Sequence, residues 1–274
     1  MNDFRGRLIL VTGAGSGIGR ATALRFAREG ARLLLADIDG SWCEQTAALA
    51  ARMGATATAK VVDVSDAAAM EAFAAESIAR LGVPDIVVNN AGIGMAGSLL
   101  DTTLADWERL IGVNLWGVIH GCRLFAPRLV ERGRGGHIVN VASAAAFAPS
   151  RVLPAYSTTK AAVLMLSECL RIELADAGIG VSVICPGIIN TDIVRSTRWV
   201  GVDDAEAQTR RERAVRMYRR RNYGPERVAE RILSAVRRNR AVVPVAPEAH
   251  LLRLAVRAAP GTVRRLARST NLGS

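Results

Sequence analysis

The chain has 274 residues, of which 50% are hydrophobic and only 4% are aromatic. This length and composition exclude a disordered chain, a collagen-like repeat and a disulfide-stapled miniprotein, and they predict one large α/β domain with an aliphatic core. The formal net charge of +11 by itself suggests an anionic partner, such as a nucleic acid or a membrane surface.

Short runs of β-branched and aliphatic residues alternate along the chain with longer segments of helical periodicity. The short runs predict strands at 8–11, 32–36, 57–62, 86–88, 137–141, 181–185 and 241–245. The longer segments predict helices at 18–29, 41–53, 67–81, 104–132, 155–177 and 225–238. This alternation is typical of repeated βαβ units. We therefore predict an α/β fold, a Rossmann-type doubly wound parallel sheet of about seven strands with helices on both faces.

Residues 192–224 are the least regular part of the sequence and interrupt the alternation before the last helix and strand. An insertion at such a place is typical of a loop or a helical lid over a binding site. No linker divides the chain. We therefore predict a single Rossmann-fold domain over residues 1–247, with a substrate lid at about 192–224, followed by a basic amphipathic C-terminal extension over 248–274.

A glycine-rich segment, TGAGSGIG at residues 12–19, separates the first strand from the first helix. The spacing of Gly13, Gly17 and Gly19 lets the backbone turn tightly and present N–H groups to a pyrophosphate at the start of the helix. Asp37 ends the second strand about 20 residues further on, where it can accept hydrogen bonds from the adenosine ribose hydroxyls. These features predict a dinucleotide site. A plain strand-to-helix turn is the alternative for the glycines.

The acidic residue Asp37 also bears on which dinucleotide is bound. Its carboxylate would repel the 2′-phosphate of NADP, and the residue that follows it is Ile38 rather than a basic residue. The glycine-rich segment contains no basic residue either. We therefore predict NAD rather than NADP. The alternative is that Asp37 only caps the next helix.

A tyrosine and a lysine lie four residues apart near the start of the predicted helix 155–177. This spacing places the side chains of Tyr156 and Lys160 on one face of the helix, about one turn apart. An ammonium group beside a phenol stabilises the phenolate, so we expect a lowered pKa for Tyr156 and a role as acid or base. Ser143 follows the strand 137–141 and should reach the same edge of the sheet, where the nicotinamide end of the cofactor would lie.

In chain order and spacing, these motifs make the sequence resemble the classical short-chain dehydrogenase/reductase family over roughly residues 5–245. The motifs that carry the resemblance are Thr12-Gly13-xxx-Gly17-x-Gly19, Asp63-Val64, Asn89-Asn90-Ala91-Gly92, Asn114, Ser143, Tyr156, Lys160 and Pro186-Gly187-xxx-Thr191. The resemblance implies that NAD is bound by Gly13, Ser16, Gly17, Ile18, Gly19, Asp37, Asp63, Val64, Asn90, Tyr156, Lys160, Ile189 and Thr191.

The same resemblance implies a catalytic set of Asn114, Ser143, Tyr156 and Lys160. In that set Tyr156 exchanges a proton with the substrate oxygen while hydride passes between the substrate carbon and the nicotinamide. Lys160 lowers the pKa of Tyr156 and binds the nicotinamide ribose, and Ser143 positions the substrate oxygen. Asn114 holds a water that links Lys160 to solvent.

The implied activity is the NAD-dependent interconversion of a secondary alcohol and a ketone. An NADPH-linked carbonyl reductase is an alternative, as is a non-catalytic NAD-binding regulator or scaffold of the same fold. The segments expected to wall the substrate pocket are mostly apolar near the motifs and include Met95, Phe147, Leu153, Ile193, Val194 and Trp199. They predict an apolar substrate of steroid, terpene or lipid type, unless several of these side chains only pack the lid.

The basic excess belongs to the last part of the chain. Residues 1–194 contain 17 basic and 18 acidic residues, whereas residues 195–274 contain 19 and 7. Apolar residues and arginines are interspersed over 250–272, and Pro260-Gly261 divides the segment, which predicts two short amphipathic helices. We considered an extension that packs on the enzyme or its oligomeric partner, a peripheral membrane contact through 250–272, and nucleic-acid binding. The near-neutral charge of residues 1–194 disfavours a nucleic-acid partner.

The four cysteines, Cys43, Cys122, Cys169 and Cys185, occur singly, without a CxxC motif or a histidine at metal-ligand spacing. We therefore expect neither a disulfide framework nor a metal site. The cysteine pattern fits a reduced, cytoplasmic chain. No apolar run is long enough for a signal peptide or a membrane span, which predicts a soluble protein, with association at a membrane surface as the open alternative. The family resemblance implies a homo-oligomer, a tetramer or a dimer, in which helices 104–132 and 155–177 pack against their symmetry mates.

Overall fold

The aliphatic runs of the sequence form a seven-stranded parallel sheet. The computed structural model describes residues 3–269. The strands of the sheet are β1 (Leu8–Thr12), β2 (Arg32–Asp37), β3 (Ala57–Val61), β4 (Ile86–Asn89), β6 (Gly136–Val141), β7 (Ile179–Pro186) and β9 (Val242–Val245). Two further short strands, β5 (Met95–Ala96) and β8 (Arg198–Trp199), pair with each other outside this sheet.

Helices cover both faces of the sheet. They are α1 (Gly17–Ala27), α2 (Gly40–Arg52), α3 (Ala67–Leu81), α4 (Leu104–Ile111), α5 (Gly117–Arg132), α6 (Pro154–Glu173), α7 (Ile193–Ser196), α8 (Asp204–Arg221), α9 (Pro225–Arg238), α10 (Pro247–Ala258) and α11 (Pro260–Ser269). Successive side chains of a strand point to opposite faces. Thus Ile9 joins the core under α1, α2 and α9, whereas Leu10 joins the core under α3, α5 and α6. The predicted doubly wound α/β fold is confirmed.

The order of the strands creates a crevice at the centre of the sheet. Neighbouring strands follow the order β3-β2-β1-β4-β6-β7-β9, and every pair is parallel. The chain therefore winds outward in one direction from β1 and in the other from β4. At such a switch point the connecting helices lie on opposite faces of the sheet, which leaves room for a ligand at the carboxyl ends of the strands.

The prediction of one uninterrupted helix over 104–132 is wrong at its centre. The residues between α4 and α5, Gly112–Trp116, form a π-helical turn. Within this turn the side chain of Asn114 bonds sideways to the backbone of Ile93, accepting from its N–H at 2.8 Å and donating to its carbonyl at 3.0 Å. A single extra residue in one turn barely changes the hydrophobic periodicity of a segment, so the sequence pattern did not reveal the interruption.

The irregular segment 192–224 contains α7, β8 and the long helix α8. Asp203 caps α8, its carboxylate accepting a hydrogen bond from the backbone N–H of Glu206 at 2.8 Å. Only Ala207 of this helix is buried, so the apolar stripe that marks a helix in sequence is nearly absent. The pairing of β8 with β5 holds the start of the segment against the residues that follow β4.

The basic C-terminal segment contains α10 and α11, which meet at Pro260. Residues 270–272 of the predicted amphipathic segment 250–272 lie outside the described residues. Across residues 3–269, no helix combines the length and the apolar character needed to cross a bilayer.

A buried histidine makes the fold sensitive to acid. The Nε2 atom of His137, in β6, lies 2.8 Å from the hydroxyl of Ser182 in β7. Burial lowers the pKa of His137 to about 3, and the positive charge of Arg171 acts in the same direction. The unfolded chain binds a proton at this residue below about pH 6.5, whereas the folded chain stays neutral there. This contribution to stability is therefore present above pH 6.5 and is lost as the pH falls toward 3.

We expect the variant His137→Gln to lose part of this acid sensitivity. Between pH 6.5 and 4.5 the unfolding free energy of the wild type should fall by about 2 to 3 kcal/mol more than that of the variant. Urea denaturation at a series of pH values measures the difference. Between pH 7 and 8 the difference in unfolding free energy between the two proteins should stay constant. An equal decrease of the unfolding free energy in both proteins below pH 6.5 would contradict the assignment of the acid sensitivity to His137.

Candidate active site

A cavity of about 1410 Å³ opens at the carboxyl edge of the sheet. It is lined by the residues after β1, β4, β6 and β7, by Tyr218 of α8, and by residues of α10 and α11. Of the site residues predicted from sequence, all line this cavity except Gly19 and Asn114, which lie directly behind its wall. The structure therefore gathers the predicted cofactor and catalytic residues around one space.

The glycine-rich segment approaches the end of β4 so closely that side chains would not fit. Gly13 has φ +63°, and a Cβ atom there would lie 2.8 Å from the Cα of Ala91. A Cβ on Gly19 would overlap the carbonyl oxygen of Gly13. The side-chain amide of Asn90 donates to the carbonyls of Thr12 at 2.9 Å and Gly13 at 3.1 Å. Asn90 thus holds this segment in place.

The start of α1 is suited to an anion. Ser16, the N-cap residue, makes no side-chain cap hydrogen bond, and the first turn of α1 contains no acidic residue. Ser16, Gly17 and Ile18 all line the cavity. The backbone N–H groups of a first helical turn lack partners within the helix and favour negative charge. These residues therefore fit a pyrophosphate.

The carboxylate of Asp37 lies at the end of β2 beside this loop. Its Oδ2 atom accepts a hydrogen bond from the N–H of Gly15 at 2.7 Å, and its Oδ1 atom accepts from the N–H of Asp39 at 3.0 Å. The cap of α2 is Asp39, which accepts from the N–H of Trp42 at 2.9 Å. The alternative that Asp37 only caps the next helix is therefore wrong. Asp37 lines the cavity and fits a ribose with free hydroxyls.

Two further cofactor residues predicted from sequence lie next to Asp37 in the cavity wall. Asp63 and Val64 follow β3 and line the cavity. The Oδ1 atom of Asp63 accepts from the N–H and the hydroxyl of Ser65, at 2.9 and 2.7 Å. The carbonyl of Val64 lies 2.9 Å from Nδ1 of His120 on α5. These contacts fix the turn after β3 at the end of the cavity where an adenine would lie.

The turn after β7 reaches across the cavity to the glycine-rich segment. Ile189 is buried, and the hydroxyl of Thr191 donates to the carbonyl of Ile189 at 3.5 Å. A Cβ on Gly17 would lie 3.3 Å from the side chain of Thr191. The segment from Ile189 to Thr191 thus lies close to the start of α1 in the wall of the cavity.

Ser143, Tyr156 and Lys160 meet on the other side of the cavity. The hydroxyl of Ser143 is hydrogen-bonded to the hydroxyl of Tyr156 and accepts from the N–H of Ala145 at 3.2 Å. Tyr156 lies in the first turn of α6, and Lys160 lies one turn later. The Nζ atom of Lys160 is 5.8 Å from the centre of the Tyr156 ring and donates to the carbonyl of Val141 at 3.1 Å.

Burial dominates the electrostatics of this group. It raises the pKa of Tyr156 to about 12, although the hydrogen bond with Ser143 acts in the opposite direction. It also lowers the pKa of Lys160 to about 8. The expectation that Lys160 lowers the pKa of Tyr156 below its ordinary value is therefore wrong for the protein alone. Low-dielectric surroundings disfavour the charged form of each group, and the ammonium is directed at the Val141 carbonyl rather than at the phenol oxygen.

Asn114 lies behind the cavity wall, next to Lys160. A Cβ on Gly92 would lie 3.2 Å from Oδ1 of Asn114 and 3.3 Å from Nζ of Lys160. The amide of Asn114 bonds to both backbone groups of Ile93, as described above, and lies 3.4 Å from the hydroxyl of Thr159. Asn114 therefore fixes the chain after β4 beside the ammonium group of Lys160. The expected water between Asn114 and Lys160 stays a prediction.

Sequence reasoning missed residues that approach the site from the C-terminal part of the chain. The carboxylate of Glu248, at the start of α10, accepts from the N–H of Ile188 at 2.7 Å and pairs with Arg221 at the end of α8. Burial and this carboxylate together raise the pKa of Tyr218. No local pattern could reveal contacts that join residues so far apart in sequence. Among the described residues, no group of three or more His, Cys, Asp or Glu could hold a metal ion.

Comparisons with known proteins agree with the fold and the motifs. A family model described as short chain dehydrogenase matches residues 7–199. "Probable oxidoreductase EphD" of Mycobacterium tuberculosis is 53% identical over 267 residues, which cover 97% of this chain and 45% of that protein. The chain thus spans about half the length of this relative. The 1-deoxy-11-beta-hydroxypentalenate dehydrogenase of Streptomyces exfoliatus is 40% identical over 191 residues, 69% of this chain and 70% of that protein.

The same relationship is seen among solved structures. The crystal structure of a short chain dehydrogenase/reductase from Burkholderia phymatum in complex with NAD has a TM-score of 0.86 and 30% sequence identity, and the match covers 99% of both chains. The predicted resemblance is therefore confirmed by the family model, by the relatives and by the fold. The chain belongs to the short-chain dehydrogenase/reductase family of oxidoreductases.

Proposed function

We propose that this chain is an NAD-dependent oxidoreductase that interconverts an apolar secondary alcohol and the corresponding ketone. The observation that carries the proposal is the convergence of Ser143, Tyr156 and Lys160 with the glycine-rich segment in one cavity. An acid/base pair beside an anion-binding helix start is what hydride transfer with a dinucleotide requires. A non-catalytic scaffold would not need this group.

The residues of the cavity fit a nicotinamide dinucleotide. The start of α1 suits the pyrophosphate, Asp37 suits the adenosine ribose, and the turn at Ile189 and Thr191 faces the nicotinamide end. The relative from Burkholderia phymatum was solved in complex with NAD, which supports the same cofactor class here. When bound, the cofactor supplies hydride exchange, and the protein supplies orientation and proton transfer.

The protein residues of the site transfer the proton and position the reacting groups. With a pKa of about 12, Tyr156 is protonated at neutral pH and can donate its proton to a carbonyl oxygen. Ser143, hydrogen-bonded to Tyr156, is in position to donate to the same oxygen and so orient it. The ammonium of Lys160 favours the phenolate that remains and helps to bind the ribose. Asn114 keeps the backbone at Gly92 and Ile93 beside Lys160.

An apolar substrate is supported by the walls of the cavity beyond this group. Met95, Leu153 and Ile193 line it, as do apolar residues of the C-terminal helices. The segment 192–224 contributes Val194 and Tyr218 to the lining, in keeping with a lid. A relative with 40% identity is named for the dehydrogenation of a hydroxylated compound, 1-deoxy-11-beta-hydroxypentalenate. We infer that this chain likewise acts on a hydroxyl group, which the apolar cavity walls assign to an apolar molecule.

We expect Tyr156→Phe to remove nearly all turnover while NAD binding stays near that of the wild type. Removal of a general acid/base commonly lowers the rate about 10² to 10⁴-fold. The measurement is formation of reduced cofactor, read by its absorbance with a panel of secondary alcohols, together with NAD titration by calorimetry. Tyr223→Phe is the matched control, because Tyr223 is not part of the cavity lining. Alcohol oxidation at wild-type rate in Tyr156→Phe would overturn the assignment.

We expect the wild type to prefer NAD over NADP by about 100-fold or more in kcat/KM, because a 2′-phosphate would meet the carboxylate of Asp37. In Asp37→Asn the ratio of kcat/KM for NAD to kcat/KM for NADP should fall about 10-fold or more. The substitution removes the negative charge and keeps an oxygen that accepts from the N–H of Gly15. Asp39→Asn removes the same charge two residues away, at the cap of α2, and should leave the preference unchanged. An equal effect of both substitutions would rule out a specific contact of Asp37 with the ribose.

We also propose a homo-oligomer that buries the outer faces of α5 and α6. Apolar side chains are exposed on or beside these helices, including Trp116, which is 50% exposed, Met165 and Ile172. Multi-angle light scattering should give the mass of a dimer or a tetramer, and Met165→Glu combined with Ile172→Glu should shift it toward the monomer. A monomeric wild type at micromolar concentration would contradict this arrangement.

A further inference from the structure

The helices α10 and α11 form part of the wall of the active-site cavity. They lie outside the segment that the family model matches. Leu251, Leu252 and Ala255 of α10 and Val263, Leu266 and Ala267 of α11 line the same cavity as Tyr156. The C-terminal segment thus adds a continuous apolar surface to a space that already contains the acid/base group.

This segment is fastened to the elements that carry the site. At its start, Glu248 accepts a hydrogen bond from Ile188 in the turn after β7. In the middle of α10, the guanidinium of Arg253 lies 6.0 Å from the centre of the Phe147 ring, and Nη1 lies 3.5 Å from the carbonyl of Val242. Near the end of α11, Nη1 of Arg151 lies 3.5 Å from the carbonyl of Arg268. The two helices are therefore attached at both ends and in the middle.

One face of α10 and one face of α11 line the cavity. The cavity-lining residues are spaced three or four apart, or are adjacent, and form one face of each helix. Arg257, Arg264 and Arg265 are exposed and do not belong to the cavity lining in the described part of the chain. Leu251 is 67% exposed and Leu266 is 65% exposed, although both line the cavity. The outer end of the cavity is therefore an open apolar mouth with arginines outside it.

We propose that α10 and α11 bind the part of the substrate that is remote from its hydroxyl or carbonyl group, and so select an alcohol or ketone with an extended apolar portion. This inference rests on the proposed function and names the substrate class for it. Each methylene group removed from water should favour binding about fourfold. An apolar substrate portion long enough to contact Leu252 and Val263 as well as Tyr156 would gain this factor several times.

The test compares substrates of increasing length on variants of the full chain. The substrates are 2-alkanols from 2-butanol to 2-dodecanol, with NAD. Ala255→Trp fills the outer part of the cavity, and Leu252→Gln makes its wall polar. Ala258→Trp and Leu254→Gln are matched controls on the same helix, because both residues are exposed and lie outside the cavity lining. The cavity variants should lower kcat/KM for 2-dodecanol about 10-fold or more with little change for 2-butanol, and the controls should match the wild type.

Calorimetric binding of 2-dodecanone to the NAD-loaded protein gives a second readout that needs no turnover. If the wild type binds the ketone, Ala255→Trp does not, and no alcohol is oxidised, the proposed function fails and the inference about α10 and α11 stands. If alcohols are oxidised with the same length profile in all variants, the proposed function stands and the inference is overturned. Vesicle binding (phosphatidylglycerol) that is lost in Leu254→Gln, together with a length profile that Ala255→Trp and Leu252→Gln leave unchanged, would overturn the inference in favour of a membrane contact.

Discussion

Parallel strands all end at the same edge of their sheet, and the site depends on this constraint. The glycine-rich segment follows β1, Asp37 ends β2, Asn90 follows β4 and Ser143 follows β6. The chain reverses its winding direction between β1 and β4, so the segments after these strands separate and leave a crevice between them. Residues that are more than one hundred positions apart in sequence therefore share a single cavity without any long irregular connection through the core.

Burial shifts the pKa values of both Tyr156 and Lys160 in the cavity. The same desolvation that raises the pKa of Tyr156 lowers that of Lys160, so the neutral forms of both are favoured. Electrostatic interactions are stronger in such surroundings than in water. The hydrogen bond from Lys160 to the carbonyl of Val141 compensates part of the desolvation and fixes the ammonium at the end of β6.

The sequence was sufficient to predict the features that have a local period or a fixed spacing. The strands of the sheet follow from runs of β-branched and aliphatic residues, and the proximity of Tyr156 and Lys160 follows from a four-residue spacing on a helix. The π-helical turn around Asn114 could not be predicted, because it depends on side-chain bonds to Ile93 on another segment. Within the segment 192–224, predicted as a loop or a helical lid, the bounds of α8 could not be predicted, because this helix buries only Ala207 and so lacks an apolar stripe.

The contact of Glu248 with Ile188 was also beyond sequence reasoning, since 60 residues separate the two and no motif connects them. The same limit applies to the direction in which an amphipathic helix faces. A sequence pattern shows that leucines and arginines occupy opposite sides of α10 and α11, but an enzyme cavity and a membrane surface would produce the same pattern. The structure shows that residues of both helices line the cavity and that contacts of Glu248, Arg253 and Arg268 attach the helices beside it.

The position of the basic excess follows from this arrangement. Helices that cover an open apolar mouth have one side toward the cavity and the other toward water, and the outer side needs charge to stay solvated. Arginine suits this place, because its long apolar stem can cover aliphatic surface while the guanidinium remains hydrated or contacts carbonyls and aromatic rings. The contacts of Arg253 with Val242 and Phe147 are of this kind. Other arginines of the last third are balanced locally, as Arg198 is by Asp106 and Arg221 is by Glu248. Such contacts account for Arg198, Arg221 and Arg253 within the basic C-terminal part of the chain.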